Sequence, residues 1–424
     1  MTLGIDNLEN QSIPISSGNI LYVGGSGEGN YTKIQDAIND AKDGDTVFVY
    51  SGTYYENVVI NKTINLIGEN KNTTIIDGSG VGDVIIINAD SVNISGFLIK
   101  NNVEDSSGIR ILSDYNNIFS NIVEYCRYGI YIREGWFNNI YDNFIENVYY
   151  FGITIYSYPE INCMNNCVFN NIIDFNVESN KESVGIHTRG KRILISNNTI
   201  TDCKKSGIQI CDDSYDSQIL NNTIIGDNQR ISYGILLRDD TYNIDVINNY
   251  VSGCDYGILI NGLIYNISHN FIDKNRYGIY TASFNYSNSI SNNIVTNCEE
   301  IGIGIESYTS FCLVTNNIIE QANRGITVEH GTNNIIIRNI IKNNTIGVEV
   351  WGTYNEIISN NLINNNRHAK FFDHFNIWEK NYWGRPVYHP KIIFGRVGEF
   401  HKTLPWINIE WTPAKEPYDI KVLS

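Results

Sequence analysis

A chain of 424 residues with 46 Asp and Glu against 30 Lys and Arg, a formal charge of -16, has no basic stripe for a nucleic acid. It also disfavours a polyanionic partner unless a local basic face or a bridging cation offsets the field. Hydrophobic residues make up 42 % and charged ones only 18 %, so a large core is affordable, and no apolar run of about 18 residues is present to cross a membrane as a helix.

Met1 to Gln11 lacks the basic start and apolar stretch of a secretory signal. The composition is that of an exported protein, so the expected location is extracellular or cell surface, with a signal trimmed away. Tyr31 to Ala41 is the one amphipathic helix, with Ile34, Ala37, Ile38 and Ala41 on a single stripe. It reads as a cap, closing an N-terminal segment of residues 1–45 over the strand edges that follow. Strands then open at Thr46–Tyr50, Gly52–Ile60, Ile64–Gly68 and Thr74–Gly78.

From Asn121 onward the chain repeats. Asn121, Asn143, Asn171, Asn198, Asn222, Asn249, Asn270, Asn293, Asn317, Asn339 and Asn361 each open a segment that closes on a glycine, from Gly129 and Gly152 to Gly325 and Gly347. Most of these glycines lead a short alternating strand such as Gly257–Ile260. A unit of this length buries its apolar side only by stacking on its neighbours. The expected fold is all-β: a single-stranded right-handed parallel β-helix of about 12 to 14 coils over residues 46–376. The Asn column is expected to sit at a bend in the left-handed conformation and to bond coil to coil.

Cys126, Cys203, Cys254 and Cys298 fall in one inward column, on coils too far apart for disulfides at a strand spacing of about 4.8 Å. They are expected as buried free thiols, and the close pair Cys163 and Cys167 as a local disulfide or two further thiols. The repeat is lengthened at Gly152–Asn171, Asn171–Gly185 and Asn222–Gly234, where loops are expected to flank a binding face. After Asn361 it decays into a tail, residues 377–424, with Trp378, Trp383, Trp406 and Trp411 among Pro386, Pro390, Pro405, Pro413 and Pro417. This tail is expected as an irregular second cap, or else as an aromatic sugar platform.

The helix and the first strands, Gly52–Ile60, Ile64–Gly68 and Thr74–Gly78, resemble the opening of the pectin-lyase-like superfamily. The many short Asn-to-Gly repeats look more like its NosD-type members, which include carbohydrate-binding and sugar-hydrolysing surface proteins. The resemblance implies a sugar chain lying along a strand face and crossing several coils. It does not imply one activity, because this scaffold hosts many.

One outward column gathers charge and aromatics: Leu112, Arg133, Tyr156, Arg189, Cys211, Arg238, Asn261, Ala282, Glu306, Glu329 and Trp351. The densest group is His187 and Arg189, then Asp212 and Asp213, then Arg238, Asp239 and Asp240 on successive coils. Asp212 and Asp239 are expected to form a carboxylate pair with split pKa values, as glycoside hydrolysis requires, with the arginines neutralising anionic charge. The group is loosely similar to the Asp-rich site of polygalacturonases, whose Asn-Thr-Asp, Gly-His-Gly and Arg-Ile-Lys segments are missing here. Turn chemistry and surface ion pairing would account for the same residues without function. Arg133, Tyr156, Glu306, Glu329, His330 and Trp351 extend the column as substrate-binding candidates, and the Glu306, Glu329 and His330 patch has the oxygen donors a Ca2+ ion takes. The expected function is a secreted or cell-surface protein that binds polysaccharide and, if it is an enzyme, cleaves it as a hydrolase or lyase. The alternatives are a structural or adhesive envelope solenoid and, least favoured with two Met and seven scattered His, a NosD-like copper-accessory protein.

Overall fold

The computed structural model describes residues 18–156, 163–175, 182–226, 231–282, 287–306, 309–373, 375–398 and 404–422. Within them the chain winds as a parallel β-helix of three-sided coils. Face one stacks 16 parallel strands, from Ile20–Val23 to Ile377–Glu379, which takes the coil count above the expected range. Face two holds strands such as Phe144–Glu146 and Thr199–Thr201. Face three holds the Gly-led strands, among them Phe151–Ile155, Val184–Thr188, Ser206–Ile210 and Ile231–Leu237.

Register is kept from coil to coil on face three. Ile130, Ile153, Ile186, Ile208, Ile235 and Ile258 are successive Cα partners. Each is fully buried in one core running the length of the rod. Because side chains alternate across a strand, the residues one and three places after each of these isoleucines stack outward. Arg133, Tyr156, Arg189, Cys211 and Arg238 therefore form the expected column. Leu112 does not join it, since a register shift pairs it with Glu134.

The Asn ladder exists but works differently from the expectation. The left-handed residue is the one before each ladder Asn: Ser120, Asp142, Asn170, Asn197, Asn221 and Asn248 have φ between 54° and 58°. The ladder Asn itself carries the inter-coil bonds. Asn249 Nδ2 donates to the carbonyls of Ile219 and Ile247 and to Asn270 Oδ1, at 2.9, 3.1 and 3.0 Å. Its Oδ1 accepts from the backbone N–H and Nδ2 of Asn222. The column passes through Asn360 rather than Asn361. Asn361 instead opens a strand and bonds the backbone of Tyr418. Beyond Asn360 the ladder reaches Asn381, whose N–H meets Glu410 Oε1 at 2.6 Å.

The glycine column is set by packing. A Cβ on Gly152 would lie 2.5 Å from Ile173 Cγ2 and 2.7 Å from the Gly185 carbonyl oxygen. All eight cysteines are free thiols, so Cys163 and Cys167 form no disulfide.

Helix α1 (Ile34–Asp40) seals the first coil with Ile34, Ala37 and Ile38 fully buried. Its first N–H groups donate to the Glu56 carboxylate at 2.9 and 3.0 Å, and Lys62 Nζ reaches the Ala41 carbonyl at its other end at 2.6 Å. At the far end Trp378 and Trp383 are buried and close the core, as a cap should. Trp406 and Trp411 do not: they are 55 % and 71 % exposed. The tail is also less irregular than expected. Lys391–Val397 and Leu404–Glu410 form a hairpin, the one antiparallel pair among the described residues.

Candidate functional site

Face three changes character along the rod. On its early coils a groove of about 440 Å³ is lined by Arg127, Tyr128, Tyr131, Tyr150, Phe151, Thr154, Tyr156, Glu182, Val184, His187, Arg189, Lys205, Gln209 and Arg238. Among the described lining residues four cations thus face one carboxylate, and Glu182 is ion-paired with Lys205. Arg189 lies over the Tyr156 ring at 4.6 Å, donates Nη1 to its hydroxyl at 2.8 Å, and brings Nη2 to Asp212 at 2.7 Å. Arg127 stands over Tyr128 and Tyr150 at 5.3 and 5.5 Å. The guanidinium planes are held on aromatic faces, the geometry in which Arg keeps its charge and loses little freedom on binding.

His187 lines the groove with its side chain buried. Its ring stacks on Phe151 at 4.6 Å, and Nδ1 lies 3.1 Å from Thr154 Oγ1. Burial, then Arg189, Arg238 and Lys205, push its pKa down to about 3. It is therefore a neutral imidazole at ordinary pH, held so by burial first, and the three cations beside it would draw an anion.

Asp212 and Asp239 do stand on adjacent coils, but no hydrogen bond joins them among the described residues. Asp212 is tied to Arg189 on the preceding coil. Asp213 and Asp240 occupy left-handed turn positions with φ 56° and 63°, and Asp213, Asp239 and Asp240 are exposed. Arg133 is not among the groove residues. The lengthened loops proposed beside this face lie largely outside the described residues, which omit 157–162, 176–181 and 227–230.

The middle coils are apolar. Tyr233, Tyr256 and Tyr277 stack at 5.7 and 4.7 Å beside the buried Leu236, Leu259, Tyr280 and Ile301. Three coils past Arg238, roughly 14 Å at strand spacing, comes the acidic end. There Glu329 shares a hydrogen bond with Glu306, and its carboxyl is raised by burial and by Glu306. The Tyr280 hydroxyl donates to Glu306. Arg324 lies 3.6 Å from Glu329 and 3.9 Å from the buried Glu349, which also pairs with Lys370 at 2.7 Å. These two cations supply positive charge of the kind a calcium ion would bring. Trp351 stacks on Phe372 at 3.6 Å in the next positions of the column. His330 is a left-handed turn residue whose N–H donates to the Trp351 carbonyl at 2.6 Å. The raised carboxyl beside a second carboxyl that was expected of the aspartates is thus found at Glu329.

Sequence reasoning missed the groove's aromatic wall because it followed a single outward column. The missing residues stand five or six positions earlier in the coil: Arg127-Tyr128, Tyr150-Phe151 and Lys205 all come one or two residues before the column glycine. Basic and aromatic doublets at that recurrent place were the available signal.

Residues 227–396 match the family model described as periplasmic copper-binding protein (NosD), and residues 158–263 match that of a right handed beta helix region. Copper takes thiolate, thioether or imidazole ligands. In 227–396 there is no Met, Cys254, Cys298 and Cys312 are buried in the core, and no group of three or more His, Cys, Asp or Glu gathers as a metal site among the described residues. The described residues do not gather the donors of a copper centre. No curated protein matches the chain in sequence. Among solved structures, DFA-IIIase from Arthrobacter chlorophenolicus A6 in complex with GF2 matches with a TM-score of 0.53 at 14 % identity, over 76 % of this chain and 94 % of that one. The catalytic domain of a GH87 alpha-1,3-glucanase in complex with nigerose matches with a TM-score of 0.51 at 14 % identity, over 76 % of this chain and 66 % of that one. At such identity the likeness is one of fold. The chain is a right-handed parallel β-helix that carries, over residues 227–396, the sequence pattern of the NosD family model.

Proposed function

We propose that this chain binds an acidic polysaccharide along face three, outside the cytoplasm or at the cell surface. Arg127, Arg189, Lys205 and Arg238 would hold its anionic groups, and Tyr128, Phe151 and Tyr156 would lie against its sugar rings. The observation that carries the reading is a basic, aromatic-walled groove on a protein of charge -16. This is the local basic face that the composition demanded of any polyanionic ligand. The saccharide complexes among the fold's neighbours are compatible with it.

The reading is of a binder first. Catalysis of glycoside hydrolysis wants two carboxyls about 5 to 9.5 Å apart across the bond. Among the described residues the groove's lining offers only Glu182, engaged by Lys205, while Glu306 and Glu329 are in mutual hydrogen bond and so closer than that spacing. Calorimetry and affinity electrophoresis against polygalacturonate, alginate and neutral dextran test the reading. Binding to the two acidic polymers should weaken with salt, and should fall about tenfold in Arg189→Ala/Arg238→Ala, the loss of roughly one charge-assisted contact. Equal affinity for dextran, or no binding to any polymer, would sink it. Release of new chain ends would mark an enzyme; retention of intact polymer would mark an adhesive solenoid.

A further inference from the structure

Past the groove, face three carries polar groups that the fold leaves without partners. The outward column that holds Thr154, His187 and Gln209 continues in register to Gly304, Thr327 and Glu349, which takes it about 34 Å beyond His187 at strand spacing. Thr327 is fully buried and stands between the core residues Ile326 and Val328, so alternation turns its hydroxyl toward this face, where Oγ1 meets no hydrogen-bond partner among the described residues. One end of the Asn261 amide, on the coil after Arg238, is in the same state, and so is Trp351 Nε1, in register with Glu329. A buried polar atom without a partner costs stability. Three of them on one face mark a surface whose partners come from outside the chain.

The chemistry there differs from that of the groove. Arg324 and Lys370, the cations beside these groups, are already engaged: Arg324 lies 3.7 Å from Glu300 and 3.6 Å from Glu329, and Lys370 lies 2.7 Å from Glu349. Glu306 and Glu329 share a hydrogen bond, and the Tyr280 hydroxyl donates to Glu306. A sugar carboxylate laid here would give up its hydration and meet carboxyls that have taken the nearby positive charge. A sugar hydroxyl both donates and accepts, so it can satisfy an amide end, an indole N–H and a threonine hydroxyl alike. Between these groups Tyr256, Tyr277 and Ala282 offer apolar surface to the C–H side of a ring.

We propose that the far half of face three is a subsite for uncharged, hydroxyl-bearing sugars, and hence that the polysaccharide is a mixed one, with acidic units in the groove and neutral units over Asn261, Thr327 and Trp351. This rests on the binding of an acidic polysaccharide in the groove. A chain with a carboxylate on every ring gains nothing past the groove, whereas a chain whose uronates are spaced by neutral sugars uses the whole face.

Calorimetry with two ligands of equal length tests it: gellan oligosaccharides, in which neutral sugars separate the uronates, and oligogalacturonates, which are charged on every ring. Thr327→Val exchanges the hydroxyl for a methyl of similar shape, and Trp351→Phe keeps a ring without the N–H. The double variant should bind the gellan fragment about tenfold more weakly, the loss of two hydrogen bonds, and the oligogalacturonate within about twofold of wild type. Thr327→Val alone should leave the unfolding temperature unchanged or higher, because it removes a hydroxyl that has no partner inside the fold. A drop in that temperature, an unchanged affinity for the gellan fragment, or equal losses for the two ligands overturns the subsite while the groove stands. Arg189→Ala/Arg238→Ala should weaken both ligands, and if neither binds the wild type, groove and subsite fall together.

Discussion

Glu410 ends the Asn ladder, and replacing it tests how the rod is closed. Its side chain is fully buried, Oε1 accepting from the Asn381 N–H and Oε2 from Trp383 Nε1, both at 2.6 Å. Burial outweighs those two bonds and raises the carboxyl from 4.5 to about 7. A carboxyl whose folded pKa is raised holds its proton more tightly in the folded chain. Below the unfolded value the group is neutral in both states and costs nothing. Between about 4.5 and about 7 the unfolded chain ionises first, so stability falls as pH rises. Above about 7 the full penalty applies, at 1.36 kcal/mol per pH unit roughly 3 kcal/mol. Urea unfolding at about pH 5 and about pH 8 should therefore show wild-type stability dropping by some 2 to 3 kcal/mol more than that of Glu410→Gln, which cannot ionise. The comparison of slopes cancels other titrating groups and the one acceptor lost in the amide. Parallel slopes for the two proteins, within about 0.5 kcal/mol, would refute a buried ionisable group at this end of the ladder.

Asn249→Ala should cost about 3 to 5 kcal/mol in urea unfolding, since it removes five hydrogen bonds and leaves the buried Ile219 carbonyl without its Nδ2 donor; a loss under 1 kcal/mol would mean that the ladder is ornamental. His187 stays neutral because its pKa lies at about 3. Affinity for an acidic glycan should accordingly be flat between about pH 5 and about pH 8, and a step near 6.5 that vanishes in His187→Gln would contradict the buried cationic environment. The thiols of Cys163 and Cys203, both raised to about 12 by burial, should resist Ellman's reagent in the native protein and react only on unfolding.

The coil could be read from sequence because its signals recur: glycine, isoleucine and asparagine return at the same offsets, and each position means the same thing on every coil. Where a signal did not recur, the reading slipped. Asn360 and Asn361 are adjacent, and spacing alone could not say which amide faced the core. Asp212 and Asp239 were correctly placed on neighbouring coils, yet their side-chain partners depend on how far an arginine reaches, and Arg189 reached Asp212 first. The groove's wall lay on residues that precede the glycine, five or six places ahead of the column that was followed. The tail broke the period altogether, so four tryptophans looked alike when Trp378 and Trp383 seal the core and Trp406 and Trp411 face solvent.

A ladder in which every rung bonds only to its immediate neighbours has a consequence for how such a protein changes its length. Asn222 bonds Asn249 and Asn249 bonds Asn270, 21 residues on. Excising residues 249–269 would bring Asn222 opposite Asn270, an identical partner, with both cut ends at equivalent points of the winding. Whole turns are thus interchangeable parts: genetic slippage by one unit lengthens or trims the molecule while both lids stay seated, and loss of a partial unit throws every later column out of line.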